Sequence, residues 1–276
     1  GTIQANGGPA SNQNGTCAGG GGGRIAVVLT GSTGFDSVTL RAYGGTNLNA
    51  GDASYAGAAG TIYTRTPGQG PNEGTLLIAN NGKNGNRKTE MSSNVTDAAV
   101  GDVIIRDSGT LLLCSNQSFT VNGSFSNGYA FAAQSGSTLR FGGTNPAVLY
   151  GSQTIARLAC TNVPKTLMFQ AGRTNTVEEG LTLKGNVSTN LLLRSTADGA
   201  YWYMSVKGTA QQGVDYADVM DSKADVGYAT QVTATHSTNS GHNVNWNFAE
   251  TGLTNTWSGV SNTSWSVAAN WSLGRF

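Results

Sequence analysis

Apolar residues along this chain come in short runs, and the polar residues between them are small. The runs are RIAVVL (24–29), SVTLRAY (37–43), GTIYTRT (60–66), GTLLIA (74–79), DVIIRD (102–107), TLLLC (110–114), SFTV (118–121), YAFAA (129–133), STLRF (137–141), AVLY (147–150), KTLMF (165–169), LTLKG (181–185), NLLLRS (190–195) and YWYMSVKG (201–208). Each has strand length and strand composition. No window of 12 residues carries the i, i+3, i+4, i+7 apolar spacing of an amphipathic helix free of Gly or β-branched clusters. The pattern predicts an all-β chain.

From 102 to 195 the runs recur every 8 to 12 residues or so, with Gly, Asn, Ser or Thr turns between them. The runs resemble one another: SGSTLRFGG, EEGLTLKGN, DSGTLLLCS. Paired hairpin signatures are missing at most junctions. A right-handed parallel β-helix, a solenoid with glycine- and asparagine-rich corners, fits these features better than a sandwich or barrel. Its corners need positive φ, which Gly adopts freely and Asn tolerates. The expected organisation is a solenoid over 1–248, glycine-rich over about 1–90 and regular over about 100–248. A Trp-rich extension follows at 249–276.

The 276-residue chain has only 11% charged residues, a net charge of +1 and 40 glycines. Small neutral side chains supply its polarity, as in extracellular solenoids. No basic run provides the footprint of a nucleic-acid binder. No apolar stretch approaches the length of a membrane-spanning helix. The chain opens GTIQANGG, as expected of a mature product or an internal piece of something larger.

The run CAGGGGGRIAVVLT (17–30) raises a choice between a phosphate cradle and a structural corner. A P-loop needs Lys-Ser/Thr and a helix after its glycines, and a dinucleotide fingerprint needs a strand before them. Here Arg24 and a strand follow. Gly19, Gly20, Gly21, Gly22 and Gly23 are therefore expected to form a corner where backbones approach closely.

These segments resemble a module of very large bacterial surface proteins of adhesin-like type. The matching stretches are Gly19 to Ala26, Ala42 to Gly45, Gly57 to Tyr63 and Gly74 to Gly82. GVDYADVMDSKADVGYATQVTATHSTNSGHNVNWNF (213–248) is similar to their closing coil. NTWSGVSNTSWSVAANWSLGRF (255–276) is similar to the opening of a next repeat. The middle, about 90 to 160, matches only in style. The resemblance implies a β-helical, surface-exposed or secreted protein with no catalytic signature. Its partners would be copies of itself end to end, or covalent neighbouring repeats, with surface glycans as further contacts.

Several residues are candidates for chemistry. Asp215, Asp218, Asp221 and Asp225 could ligate Ca²⁺, which wants several oxygens, or supply the acid/base pair of a polysaccharide lyase or hydrolase. Alternatively, V-D-Y-A-D-V-M-D is one amphipathic strand with its acids in solvent. Tyr201, Trp202 and Tyr203 alternate faces, so they form a sugar platform or bury one aromatic in the core. Trp246, Trp257, Trp265 and Trp271 sit where an open solenoid end needs capping or docking. Cys114 and Cys160 are buried thiols or a disulfide, with Cys17 left over, and no cysteine–histidine spacing suits zinc. His236 and His242 read as solvated. The Asn-x-Ser/Thr sites at Asn14, Asn94, Asn116, Asn122, Asn186, Asn262 and Asn270 matter only if the host glycosylates exported proteins. The sequence thus points to a structural extracellular protein without a cofactor. A carbohydrate-cleaving enzyme and a glycan-binding module are the alternatives.

Overall fold

A computed structural model describes residues 1–10, 17–31, 34–46, 55–96, 98–249 and 256–271. Among them the chain is all-β, with one short 3-10 turn at Ala268–Asn270. No helix among the described residues is long and apolar enough to cross a membrane.

Two sheets of ten strands each and one of three dominate the molecule. They are called here by an inward residue. The Phe169 sheet holds Asp102–Arg106, Phe125–Asn127, Ala147–Tyr150, Lys165–Phe169, Leu191–Ser195, Ala217–Val219 and Thr238–Asn239 in parallel order. The Phe141 sheet holds Ala99–Val100, Ser118–Val121, Thr138–Phe141, the second half of Gln153–Cys160, the second half of Thr174–Lys184, Gln211–Asp215, Val232–Thr235 and Trp246–Ala249. The Leu111 sheet holds Thr89–Met91, Thr110–Leu113 and Ala130–Ala133.

The chain visits these sheets in a fixed order, so each strand pairs with the one reached a full pass later. Val100 pairs with Val121, Val121 with Phe141, and Phe141 with Cys160. A pass is therefore roughly 20 residues, the size of a small solenoid repeat. Such parallel sheets are compatible with a β-helix.

Period-2 alternation selects the core. In Lys165–Phe169, Leu167 and Phe169 point inward, and in Leu191–Ser195, Leu191 and Leu193 do. Parallel register then stacks like on like. Val103, Phe125, Leu149 and Phe169 form one column, all fully buried. Leu139, Leu158 and Leu181 form another. Burying each such side chain is worth about 1.5–3 kcal/mol.

The passes turn at residues in left-handed conformations, among them Asn116 (φ 62), Gly136 (φ 75), Gly151 (φ 86), Tyr216 (φ 47) and Asp221 (φ 60). One irregularity matters. Ile155 pairs with Val177 but Arg157 pairs with Gly180, so Glu178 and Glu179 bulge together from their strand. Glu178 reaches Lys207 Nζ (3.0 Å) and accepts from Tyr228 Oη (2.9 Å). Glu179 accepts from the Gly136 amide at 2.9 Å and meets Arg157 Nε at 3.3 Å.

The glycine-rich segment corrects an expectation. Gly19 to Gly23 is not a corner. It is an extended segment lying among segments 5–10, 42–46 and 55–60. Gly19 and Gly22 donate to the carbonyls of Tyr55 and Ala58, both at 2.9 Å. Gly20 and Gly23 donate instead to Gly8 (2.9 Å) and Ala5 (2.6 Å). Hydrogen bonds that reach the same neighbour every third residue mark a threefold screw, as in polyproline II, whose backbone has no internal bonds. The segments satisfy one another in this way. A β-carbon at Gly7, Gly19, Gly22, Gly44, Gly45, Gly57 or Gly60 would collide with a neighbouring carbonyl. The run is rich in glycine because backbone packs on backbone.

This bundle joins the rest through Arg24–Val28, which pairs in parallel with Thr61–Arg65. Thr61–Arg65 in turn pairs antiparallel with Thr75–Ala79. A small core of Ile25, Ala42 and Ile62 lies beneath. The regular three-sheet passes begin at Thr89–Met91.

Candidate functional site

The stretch from Asp215 to Asp225 is not one amphipathic strand. Asp215 ends Gln211–Asp215, and Tyr216 turns the chain into Ala217–Val219 of the Phe169 sheet. Asp221 turns it again before Ser222–Lys223. The acids are therefore spread over successive faces, and Asp221 is almost fully buried at 2% exposure.

Each acid takes its own partner, and three of the four acids take one from the next pass. Asp215 Oδ1 lies 2.8 Å from His236 Nδ1 and accepts from Thr235 Oγ1 at 2.8 Å. Asp218 Oδ1 accepts from Ser240 Oγ at 2.5 Å, while Oδ2 pairs with Arg194 Nη2 at 2.9 Å. Asp221 Oδ1 lies 2.7 Å from His242 Nδ1, and Oδ2 accepts from the Gly199 amide at 3.1 Å. Asp225 pairs more loosely with Lys223 at 3.7 Å. A carboxylate is acceptor-only, so Nδ1 carries the proton in both histidines. The two histidines are exposed loop residues, as expected of them, and each also clamps one pass to the next.

Electrostatics follow the geometry. Burial pushes the Asp215 carboxyl up, but hydrogen bonds from His236 and Thr235, with the charges of His236 and Lys184, outweigh it. The group ends below its ordinary value. Glu179 is also lowered, first by a hydrogen bond from Ser135 and then by the Gly136 amide.

This arrangement does not gather the four aspartates. No group of three or more His, Cys, Asp or Glu among the described residues is placed to hold a metal ion. The constellation does something simpler. It ties neighbouring passes together at both ends of one strand.

The aromatic residues divide similarly. Trp202 is fully buried, stacked on Phe169 with centroids 4.0 Å apart, and its Nε1 donates to the Met220 carbonyl at 3.0 Å. It is a core residue and offers no platform. Tyr201 stacks on His242 at 3.8 Å and has Lys223 Nζ 5.9 Å from its ring centre, so its ring is already engaged. Tyr203 is half-buried.

The four C-terminal tryptophans do not form one group. Trp246 packs edge-on against Trp202 at 6.2 Å and donates from Nε1 to Ser222 Oγ at 2.9 Å. Trp257, Trp265 and Trp271 cluster with one another instead, Trp257 on Trp265 at 5.7 Å and Trp265 on Trp271 at 5.1 Å. Asn270, fully buried, is the hub of that cluster. Its Oδ1 accepts from the Ser261 amide (2.7 Å) and its Nδ2 donates to Asn262 Oδ1 (2.9 Å). Its amide is therefore not open to a glycan, and Asn14 lies outside the described residues.

Cys114 and Cys160 are not joined. Cys160 ends a strand of the Phe141 sheet, fully buried, and burial pushes its thiol up to about 11. Cys114 is half-buried beyond Thr110–Leu113, in a different sheet.

Sequence reasoning missed Arg194, Ser240 and the bulged Glu178–Glu179 pair. It also missed Lys165, which is buried yet meets no acid. Its Nζ donates to the carbonyls of Gly142 (2.7 Å) and Asn145 (2.8 Å), and burial lowers its pKa. One signal was readable. Asp215 and Asp221 are six apart, as are His236 and His242, and each Asp precedes its His by 21 residues.

Comparison with known proteins finds no matching family model, no similar curated protein and no similar solved structure.

Proposed function

We propose that this chain is a structural segment of an extracellular, surface-displayed protein, wound as a right-handed parallel β-helix. Its task is mechanical: to hold a rigid, protease-resistant rod between other parts of a larger assembly. The observation that carries the reading is the ladder of the Phe169 sheet. It runs from Asp102–Arg106 to Thr238–Asn239 in parallel, over stacked buried side chains such as Val103, Phe125, Leu149 and Phe169, and then Leu193 and Val219. The strand ladders pair each pass with the one before and the one after it, so length is added without changing the cross-section. The clamps at Asp215, Asp218 and Asp221 support the same reading, because they spend the chain's densest acids on holding passes together.

Two assemblies are compatible with this role. The chain is either one stretch of a longer polypeptide, or a subunit whose ends meet those of other copies. A heterologous end-to-end contact does not close, so it builds filaments. Electron microscopy of the purified chain at rising concentration separates them. Filaments with an axial repeat near one subunit length, lost on removing residues 249–276, support the subunit. Dispersed short rods that resist proteolysis support the stretch. Globular particles digested rapidly by protease would sink the rod reading altogether.

A further inference from the structure

The corner where the chain leaves the Phe169 sheet repeats a motif. Glycine stands there in successive passes, and a large side chain stands beside it: Gly128 with Tyr129, Gly151 with Tyr150, and Gly172 with Arg173. Gly151 has φ 86, and a β-carbon there would strike the Asn127 carbonyl. At Gly151 the corner is consequently bare backbone. The side chains beside it wall a depression of about 520 Å³. A second depression of about 390 Å³ shares Asn127, Tyr129 and Ser152 with it.

Three features of this corner suit it to a ligand. First, the tyrosines are open. Tyr129 is 43% exposed and Tyr150 is 40% exposed, and neither takes part in a ring contact, unlike Tyr201. Second, Arg173 is exposed, and its guanidinium has no hydrogen-bond or ion-pair partner among the described residues. No Asp or Glu lines either depression. Third, the polar groups are held in place. Gln170 Oε1 is fixed by the Gly151 amide at 2.8 Å, which leaves its amide nitrogen as a donor. Asn127 Nδ2 is fixed on the Ser152 carbonyl at 3.2 Å, and Asn127 Oδ1 is buried without a partner.

We propose that this corner binds an acidic polysaccharide. A sugar ring has an apolar C–H face suited to an open tyrosine ring, and hydroxyls suited to amides and Ser152. A uronate carboxylate matches the planar fork of an arginine that no protein acid neutralises. Three passes set at strand spacing cover about 10 Å along the long axis, room for a disaccharide unit. Ser126, Asn127 and Tyr150 belong to hydrogen-bonded strands, and the turn residues beside them are tied by the bonds at Gln170 and Asn127, so little order must be gained on binding. The site is separate from the clamps at Asp215 to Asp221 and does not depend on the rod reading.

Calorimetric titration with polygalacturonate, with dextran as the neutral control, tests it. The protein binds polygalacturonate and not dextran, and added NaCl weakens the binding. Arg173→Gln and Tyr150→Ala each weaken it by at least about tenfold, with unchanged circular dichroism. Tyr201→Ala, on a ring already covered, leaves it intact. The proposal is overturned if polygalacturonate gives no heat at millimolar uronate. Equal binding of dextran, or full binding by both corner variants, overturns it as well. Failure here would leave the microscopy and proteolysis of the rod unaffected.

Discussion

His242 stands one pass beyond Asp221 and places Nδ1 2.7 Å from its Oδ1, on a carboxylate whose side chain is 3% exposed. His236 makes the same contact with Asp215, at a carboxylate that is 29% exposed. The two clamps share spacing and geometry, and differ in how far water reaches them.

That difference fixes their worth. Removing His242 leaves a buried carboxylate with only the Gly199 amide. His242→Ala is expected to cost about 1–3 kcal/mol, the loss of a hydrogen bond to a buried charged group. His236→Ala should cost under about 1 kcal/mol, since water replaces an exposed partner. Urea unfolding of both variants checks the order. Equal losses would mean that burial does not set the strength of these clamps.

The lowered carboxylates set the acid limit. Asp215 and Glu179 titrate below their ordinary values in the fold. Their contribution to stability is therefore complete above the unfolded values, about 3.9 and 4.3. It is lost as pH falls through the lower folded values. Thermal melts from pH 6 to pH 2.5, a window of roughly that span around the unfolded values, should decline at the acid end. Glu179→Gln and Asp215→Asn should flatten that decline. A steeper decline in the variants would reverse the sign of the linkage.

Core columns should act as coupled units. Phe169 and Trp202 stack 4.0 Å apart with rings 9° from parallel. Each replaced by Ala should cost about 3–5 kcal/mol. The double variant should cost less than the sum by about 0.5–1.5 kcal/mol, the worth of an aromatic pair. A double-mutant cycle by chemical unfolding reads this directly, and strict additivity would deny the coupling.

Much of the strand content was legible because strands of this chain declare themselves locally. DVIIRD, KTLMF and NLLLRS alternate inward and outward as the sequence predicts, and their Val, Ile, Leu and Phe are the core. The clamps were hidden because local reading treats Asp215 to Asp221 as one strand. Only left-handed turns at Tyr216 and Asp221 distribute the acids over different faces; Tyr rarely adopts positive φ, and Asp, which does so occasionally, is as common outside such turns. The bulge at Glu178 and Glu179 was hidden for a related reason. A register shift depends on the neighbouring pass, and no property of the strand itself encodes it. The readable clue was long-range, a common offset between two aspartates and two histidines.

For the glycine run, local reading anticipates the close approach of backbones at Gly19 and Gly22 but misplaces it at a corner. Five glycines beside a strand read as a turn, because turns are where single glycines are needed. A run is needed for another reason, when successive residues face different backbones. Gly20 and Gly23 face the segment from Ala5 to Gly8, Gly19 and Gly22 face the segment from Tyr55 to Ala58, and a β-carbon at Gly21 would meet nothing within 4 Å. Gly22→Ala should therefore spread the bundle, since its β-carbon strikes the Ala42 carbonyl and the Gly60 amide nitrogen. Gly57→Ala should do the same against Gly20. Gly21→Ala should be neutral, or stabilise by up to about 1 kcal/mol through the unfolded chain. Amide hydrogen exchange over residues 17–23 and 55–60 is the measurement. Faster exchange in Gly22→Ala and Gly57→Ala with no change in Gly21→Ala fits a threefold backbone bundle. Equal tolerance at all three positions would return the run to an ordinary flexible corner.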